Sequence, residues 1–153
     1  MKSLTLGSTQ SVSDKALRGI SAAFPNLTRL DVNAAAGSAA APAFAHLQKL
    51  RHLQTLNVAG NAVDAPSLSH LVMLEQLTHL GIGAATVPDT EVRLLAKLAS
   101  LHEMEWTNPP VSDVALKGYA RLHGLTQFKV GTTAKPEVLD KIGTAMPWAK
   151  ITQ

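Results

Sequence analysis

The amino-acid sequence predicts an α/β solenoid of about six units, with a parallel β-sheet on its concave side and short helices on its convex side. Two periodicities predict it. An L-x-x-L-x-L frame recurs six times along the 153 residues, and an apolar stripe of helical spacing recurs between its copies. The composition permits this fold, because 46% apolar residues against 16% charged ones suffice for one continuous core.

Each unit opens with a strand. MKSLTL starts at Met1, LTRLDV at Leu27, LQTLNV at Leu53, LTHLGI at Leu77, LHEMEW at Leu101 and LTQFKV at Leu125. Residues 1–153 are therefore expected to form a single domain of repeats starting near 1, 27, 53, 77, 101 and 125, with a C-terminal closure near 138–153. A helix completes each unit. Its stripe reads Val12, Leu17, Ile20, Phe24 in the first repeat and Val63, Leu68, Leu71, Leu74 in the third. The fourth repeat has Val87, Val92, Leu95, Leu98 and the fifth Val111, Leu116, Tyr119, Leu122. Helix starts are marked by residues that cap free N–H groups or lack one: Ser13-Asp14, Asp64-Ala65-Pro66, Pro88-Asp89, Ser112-Asp113 and Pro136-Glu137. One unit cannot bury its own leucines, whereas stacked units share a core. The second repeat carries two extra residues between Asn33 and Phe44, which predicts a bulging loop there.

These residues resemble the leucine-rich-repeat family, in particular bacterial arrays with about 24 residues per unit. The segments Val12-Ser13-Asp14 with Leu17, and Val111-Ser112-Asp113 with Leu116, match that group's V-(S/T)-D-x-x-L pattern. The resemblance implies a non-catalytic module for protein–protein interaction, such as the recognition domain of an effector delivered to host cells, an inhibitor or a scaffold. It departs in one respect. The family's laddering asparagine after the strand is present as Asn61 only, with Thr9, Ala35, Ala85, Pro109 and Thr133 at the other units.

Several classes of function are excluded. No run of about 18 apolar residues exists, since Gly37, Ser38 and Pro42 interrupt the alanine-rich stretch, so no membrane span is expected. The start turns polar too soon for a secretory signal. With no cysteine there is no thiolate metal site or disulfide framework. The expected location is the cytoplasm, or outside the cell by a route without a cleavable signal. Gly81-Ile82-Gly83-Ala84-Ala85-Thr86, followed by Glu103 and Glu105, imitates a dinucleotide fingerprint. Thr86 replaces the third glycine, however, so Gly81 and Gly83 read as surface positions on a strand. His46 and His70 occupy equivalent helix positions in adjacent repeats and are expected to form a solvated pair, too few ligands for zinc. Neither a Gly-x-Ser-x-Gly elbow nor opposed carboxylate pairs occur, so no enzyme and no cofactor is expected. The net charge of +3 comes from Lys49, Arg51, Arg93, Lys97, Lys117, Arg121 and Lys141 in or after the helical halves, set against Asp14, Asp64, Asp89 and Asp113 at helix starts. That is the distribution a helix dipole favours, and it predicts no nucleic-acid binding. Trp106, Tyr119, Phe128 and Trp148 read as core residues, with Met146, Trp148 and Ile151 lying over the last repeat to close it.

What remains is the open face of the sheet. Side chains alternate along a strand, so the residues between the leucines point outward. Among them, Arg29, Asp31, Asn57, His79, Glu103, Glu105, Gln127 and Lys129 are the candidates for contact with a protein partner. Gly7, Asn33, Ala59, Gly83, Thr107 and Gly131 are expected as a third outward column. Glu103 and Glu105 put two like charges on one strand, which suits a basic partner. The alternative function is structural: Met1 already stands at the first strand position, which predicts an uncapped array associating end to end.

Overall fold

The structure is a computed structural model that describes residues 1–6, 12–33, 41–61, 63–83 and 87–153. Seven strands form one sheet in sequence order: β1 (Ser3–Thr5), β2 (Arg29–Asp31), β3 (Thr55–Asn57), β4 (His79–Ile82), β5 (Glu103–Trp106), β6 (Gln127–Val130) and β7 (Lys150–Thr152). All neighbours are parallel, and one register runs through them: Leu4, Leu30, Leu56, Leu80, Met104, Phe128 and Ile151 stand side by side. The leucines that begin the frames, Leu27, Leu53, Leu77, Leu101 and Leu125, lie behind this row and are all buried. Full burial of each such side chain stabilises by roughly 1.5–3 kcal/mol before chain entropy is set against it.

Between the strands run α1 (Asp14–Ala23), α2 (Ala41–Ala45) continued by a 3-10 turn at His46–Lys49, α3 (Ala65–Leu71), a 3-10 segment at Asp89–Lys97, α4 (Asp113–Tyr119) and α5 (Pro136–Ala145). The capping residues act as their types dictate. Ser13 Oγ accepts from the Ala16 N–H, Asp64 Oδ1 from the Ser67 N–H and Ser112 Oγ from the Ala115 N–H, while Pro66 and Pro136 sit in first turns. Asp89–Lys97 has no side-chain cap, and its buried residues Val92 and Leu95, with Leu98 just after its end, fall at strict intervals of three. A 3-10 helix stacks i and i+3 on one line, so that spacing suits it, whereas α4 buries Ala115, Gly118 and Tyr119 at the mixed three-and-four spacing of an α-helix. The expected bulge of the second repeat lies largely outside the described residues, and its end is helical as α2.

Threonines fasten the repeats in pairs. Thr28 Oγ1 donates to the Lys2 carbonyl, Thr78 Oγ1 to Gln54 and Thr126 Oγ1 to His102, at 3.0–3.1 Å. The joints that follow β2 and β4 have Gln54 and His102 at the equivalent place. Asn61, 1% exposed, donates from Nδ2 to both the Val32 carbonyl (2.8 Å) and the Val58 carbonyl (3.1 Å), tying the third repeat to the second. The preceding Gly60 has φ of 81°, a left-handed conformation in which glycine carries no steric cost.

Three expectations need correction. Met146 is buried and Ile151 packs on the core beside the sixth repeat, but Trp148 does not join that core. Lys150–Thr152 extends the sheet as a seventh strand, and Trp148 stands 23 residues after Leu125, the interval by which Lys150 follows its partner Gln127. An indole is too large and too polar for that leucine position, and Trp148 stays 41% exposed, stacked on His123 at 5.1 Å with Nε1 donating to the Leu122 carbonyl. His46 and His70 do not pair with each other: His46 Nε2 donates to Asp14 Oδ1 at 3.0 Å, and Gln48 Nε2 donates to His70 Nδ1 at 2.6 Å. Each ring finds a partner on the preceding turn of the solenoid. Finally, Gly83 is buried, because a Cβ there would come within 2.5 Å of the Gly60 nitrogen. Gly131 likewise abuts Thr107, so these two positions of the third column belong to the close approach of successive turns and not to an open face.

Candidate functional site

Two rungs of side chains cross the open face. The first holds Arg29, Thr55, His79, Glu103 and Gln127, and the second Asp31, Asn57, Gly81, Glu105 and Lys129. Strand spacing sets neighbours on a rung about 4.8 Å apart, close enough for long side chains to meet. They do so sideways. Asn57 Nδ2 donates to Asp31 Oδ2 at 3.5 Å, His79 Nε2 lies 3.3 Å from Glu103 Oε2, and Lys129 Nζ lies 3.6 Å from Glu105 Oε1. The Lys129–Glu105 ion pair and the His79–Glu103 contact are both about half exposed, where such interactions contribute at most about 1 kcal/mol.

Glu103 and Glu105 are thus each matched with a neighbouring strand's nitrogen. Gly81 leaves the only gap among these ten positions, and Asn57 leans into it: a Cβ at Gly81 would fall 2.8 Å from Asn57 Oδ1. Asn57 is itself held by accepting the Ala59 N–H at 3.0 Å.

All eight candidates, Arg29, Asp31, Asn57, His79, Glu103, Glu105, Gln127 and Lys129, line one open depression whose floor is the strand backbone at Leu56, Leu80 and Met104, whose side chains are buried in the core. The parity of the strands brings them together. The depression holds about 240 Å³, below the roughly 300–1,000 Å³ usual for small-molecule sites, and it is shallow. Among the described residues no cluster of three or more His, Asp or Glu is arranged to hold a metal, and no helix is long and apolar enough to cross a membrane. The glycines of the fingerprint-like segment serve inter-repeat packing as described above, while Ala84, Ala85 and Thr86 lie outside the described residues.

A stacked parallel sheet with one helical segment per strand defines a class of protein, the repeat solenoids. Comparison with solved structures narrows it. An LRR protein of Leptospira interrogans superposes with a TM-score of 0.65 at 16% identity, over 99% of this chain and 36% of that one. TLR13, in its complex with ssRNA13, superposes at 0.63 and 19% identity, over 99% of this chain and 22% of that one. The chain has the leucine-rich-repeat fold, and it spans well under half the length of either protein. No protein-family model matches it, and no curated protein does.

Proposed function

We propose that this chain is a non-catalytic module that binds a partner protein on the open face of its sheet. One observation carries the reading: eight polar side chains from five strands share a shallow, open depression, and those that pair do so sideways, along the rungs, and not toward a common point within. Catalysis needs groups converging on a reacting atom, whereas a partner surface needs area and polar contacts spread across it. Three carboxylates against two cations in the depression disfavour a polyphosphate chain, so the proposed partner is protein and not nucleic acid. The repeat pattern further supports a recognition domain of a bacterial effector, an inhibitor or a scaffold.

The test is selection of a random displayed peptide library on the immobilised chain. Selected peptides should bind Glu103→Lys with Glu105→Lys at least about tenfold more weakly, and bind the helix-side control Lys97→Glu with Arg121→Glu unchanged. Retained affinity for the first variant, or equal loss for both, overturns the reading.

A further inference from the structure

On the opposite side of the molecule, helices of successive repeats meet at unequal closeness. The segment Asp89–Lys97 and α4 pack tightly because Gly118 has no side chain: a Cβ there would sit 3.0 Å from the Arg93 nitrogen and from Val92 Cγ1. In the next repeat the residue 23 positions on, the interval that separates Gln127 from its β7 partner Lys150, is Lys141. A lysine cannot make the glycine's approach. Between α4 and α5 an apolar crevice of about 290 Å³ remains, floored by Leu116, Ala120 and Ala145 and edged by Lys117, Lys141 and Thr144. One turn before Lys117, Val114 is 50% exposed.

Lys117 and Lys141 come from different helices, and neither forms an ion pair among the described residues, although Asp113 and Glu137 stand four residues before them. Two free ammonium groups at the edge of an apolar crevice complement a segment that carries apolar side chains on one face and carboxylates beside them. We propose that the crevice between α4 and α5 docks an acidic amphipathic helix of a partner protein, with apolar side chains against Leu116, Ala120 and Ala145 and carboxylates on Lys117 and Lys141. This surface shares no residue with the open face.

The probe is a fluorescein-labelled helical peptide of about 20 residues with a leucine stripe and glutamates flanking it. A second peptide replaces each glutamate with lysine. Fluorescence anisotropy should show the acidic peptide binding the intact chain and the basic one not. Lys117→Glu with Lys141→Glu should weaken the acidic peptide roughly tenfold, and Ala120→Phe, which fills the crevice, should abolish binding. Circular dichroism melts verify that both variants fold, and the lysine pair, being exposed, keeps the test valid if Ala120→Phe does not. Glu103→Lys with Glu105→Lys should leave the acidic peptide unaffected. Equal binding of both peptides, no effect of the lysine reversal, or self-association of the chain through this crevice in light scattering overturns the proposal.

Discussion

Between the second and third repeats Asn61 reaches back to two backbone carbonyls, whereas between the fifth and sixth the joint is filled by Trp106, Tyr119 and Phe128. In the aromatic joint Trp106 and Tyr119 meet edge to face at 6.3 Å and Tyr119 tilts on Phe128 at 5.6 Å. All three rings are fully buried, and neither Trp106 Nε1 nor the Tyr119 hydroxyl has a hydrogen-bond partner. Burial first, and the charge of Asp89 second, push the Tyr119 hydroxyl far above its ordinary pKa, so it stays neutral. The asparagine joint is directional, since one register alone brings both carbonyls to one amide. The aromatic joint supplies contact area with little direction. A solenoid needs both, because volume holds its turns together and hydrogen bonds choose which residue faces which.

The largest effect should fall on the aromatic joint. Trp106→Ala leaves a cavity in mid-stack and should cost about 3–5 kcal/mol, read as a lowered urea midpoint. A loss smaller than that of Asn61→Ala would reverse the comparison. At the polar joint Asn61→Ala should cost about 1–3 kcal/mol, because the Val32 and Val58 carbonyls lose a buried donor. Asn61→Asp keeps the shape but turns the donor into an acceptor facing two carbonyls, and should cost more than alanine does. Equal costs would mean that Asn61 fills space and directs nothing.

A smaller effect concerns Asp64, which caps α3 just after the Asn61 turn. Its carboxyl is held below the ordinary carboxylate range chiefly by the hydrogen bond from the Ser67 hydroxyl, with the Ser67 N–H adding to it and burial opposing. A depressed folded value means that the cap stabilises above the unfolded value of about 3.9 and fades as pH falls through the folded one. The advantage of the parent over Asp64→Ala, about 1 kcal/mol at neutral pH, should therefore be flat from about pH 7 to 5 and shrink below about pH 4. An advantage that persists undiminished at pH 2 would show that the carboxylate's charge is irrelevant. The smallest effect should come from Tyr119→Phe, which deletes a hydroxyl with no partner and should stay within about 0.5 kcal/mol of the parent or stabilise slightly. A clear destabilisation would give that hydroxyl a partner and make the aromatic joint directional after all.

Much of this was legible in the chain. A strand period of two and a repeat near 24 locate the leucines, and the same parity selects the eight open-face residues without any structure. Parity fails where the strand ends: Gly83 and Gly131 continue the alternation on paper, but the chain has begun to turn and their missing side chains admit the neighbouring backbone. The seventh strand was hidden because Trp148 stands at a leucine position and only Ile151 keeps the pattern. The sideways pairing of Glu103 and Glu105 depends on the rotamers of His79 and Lys129, which no periodicity encodes. For His46 and His70, equivalence of position says nothing about which neighbour is nearer, and the preceding turn supplies Asp14 and Gln48.

The threonine hydroxyls also make the ribbon mechanically uneven. They clip the first repeat to the second, the third to the fourth and the fifth to the sixth. The joint between β2 and β3 is held by other side chains, with Asn61 on the Val32 carbonyl and Asn57 on Asp31, whereas among the described residues the joint between β4 and β5 has only the half-exposed contact of His79 with Glu103. Under a pulling force along the stack, the ribbon should part first there, after its fourth repeat.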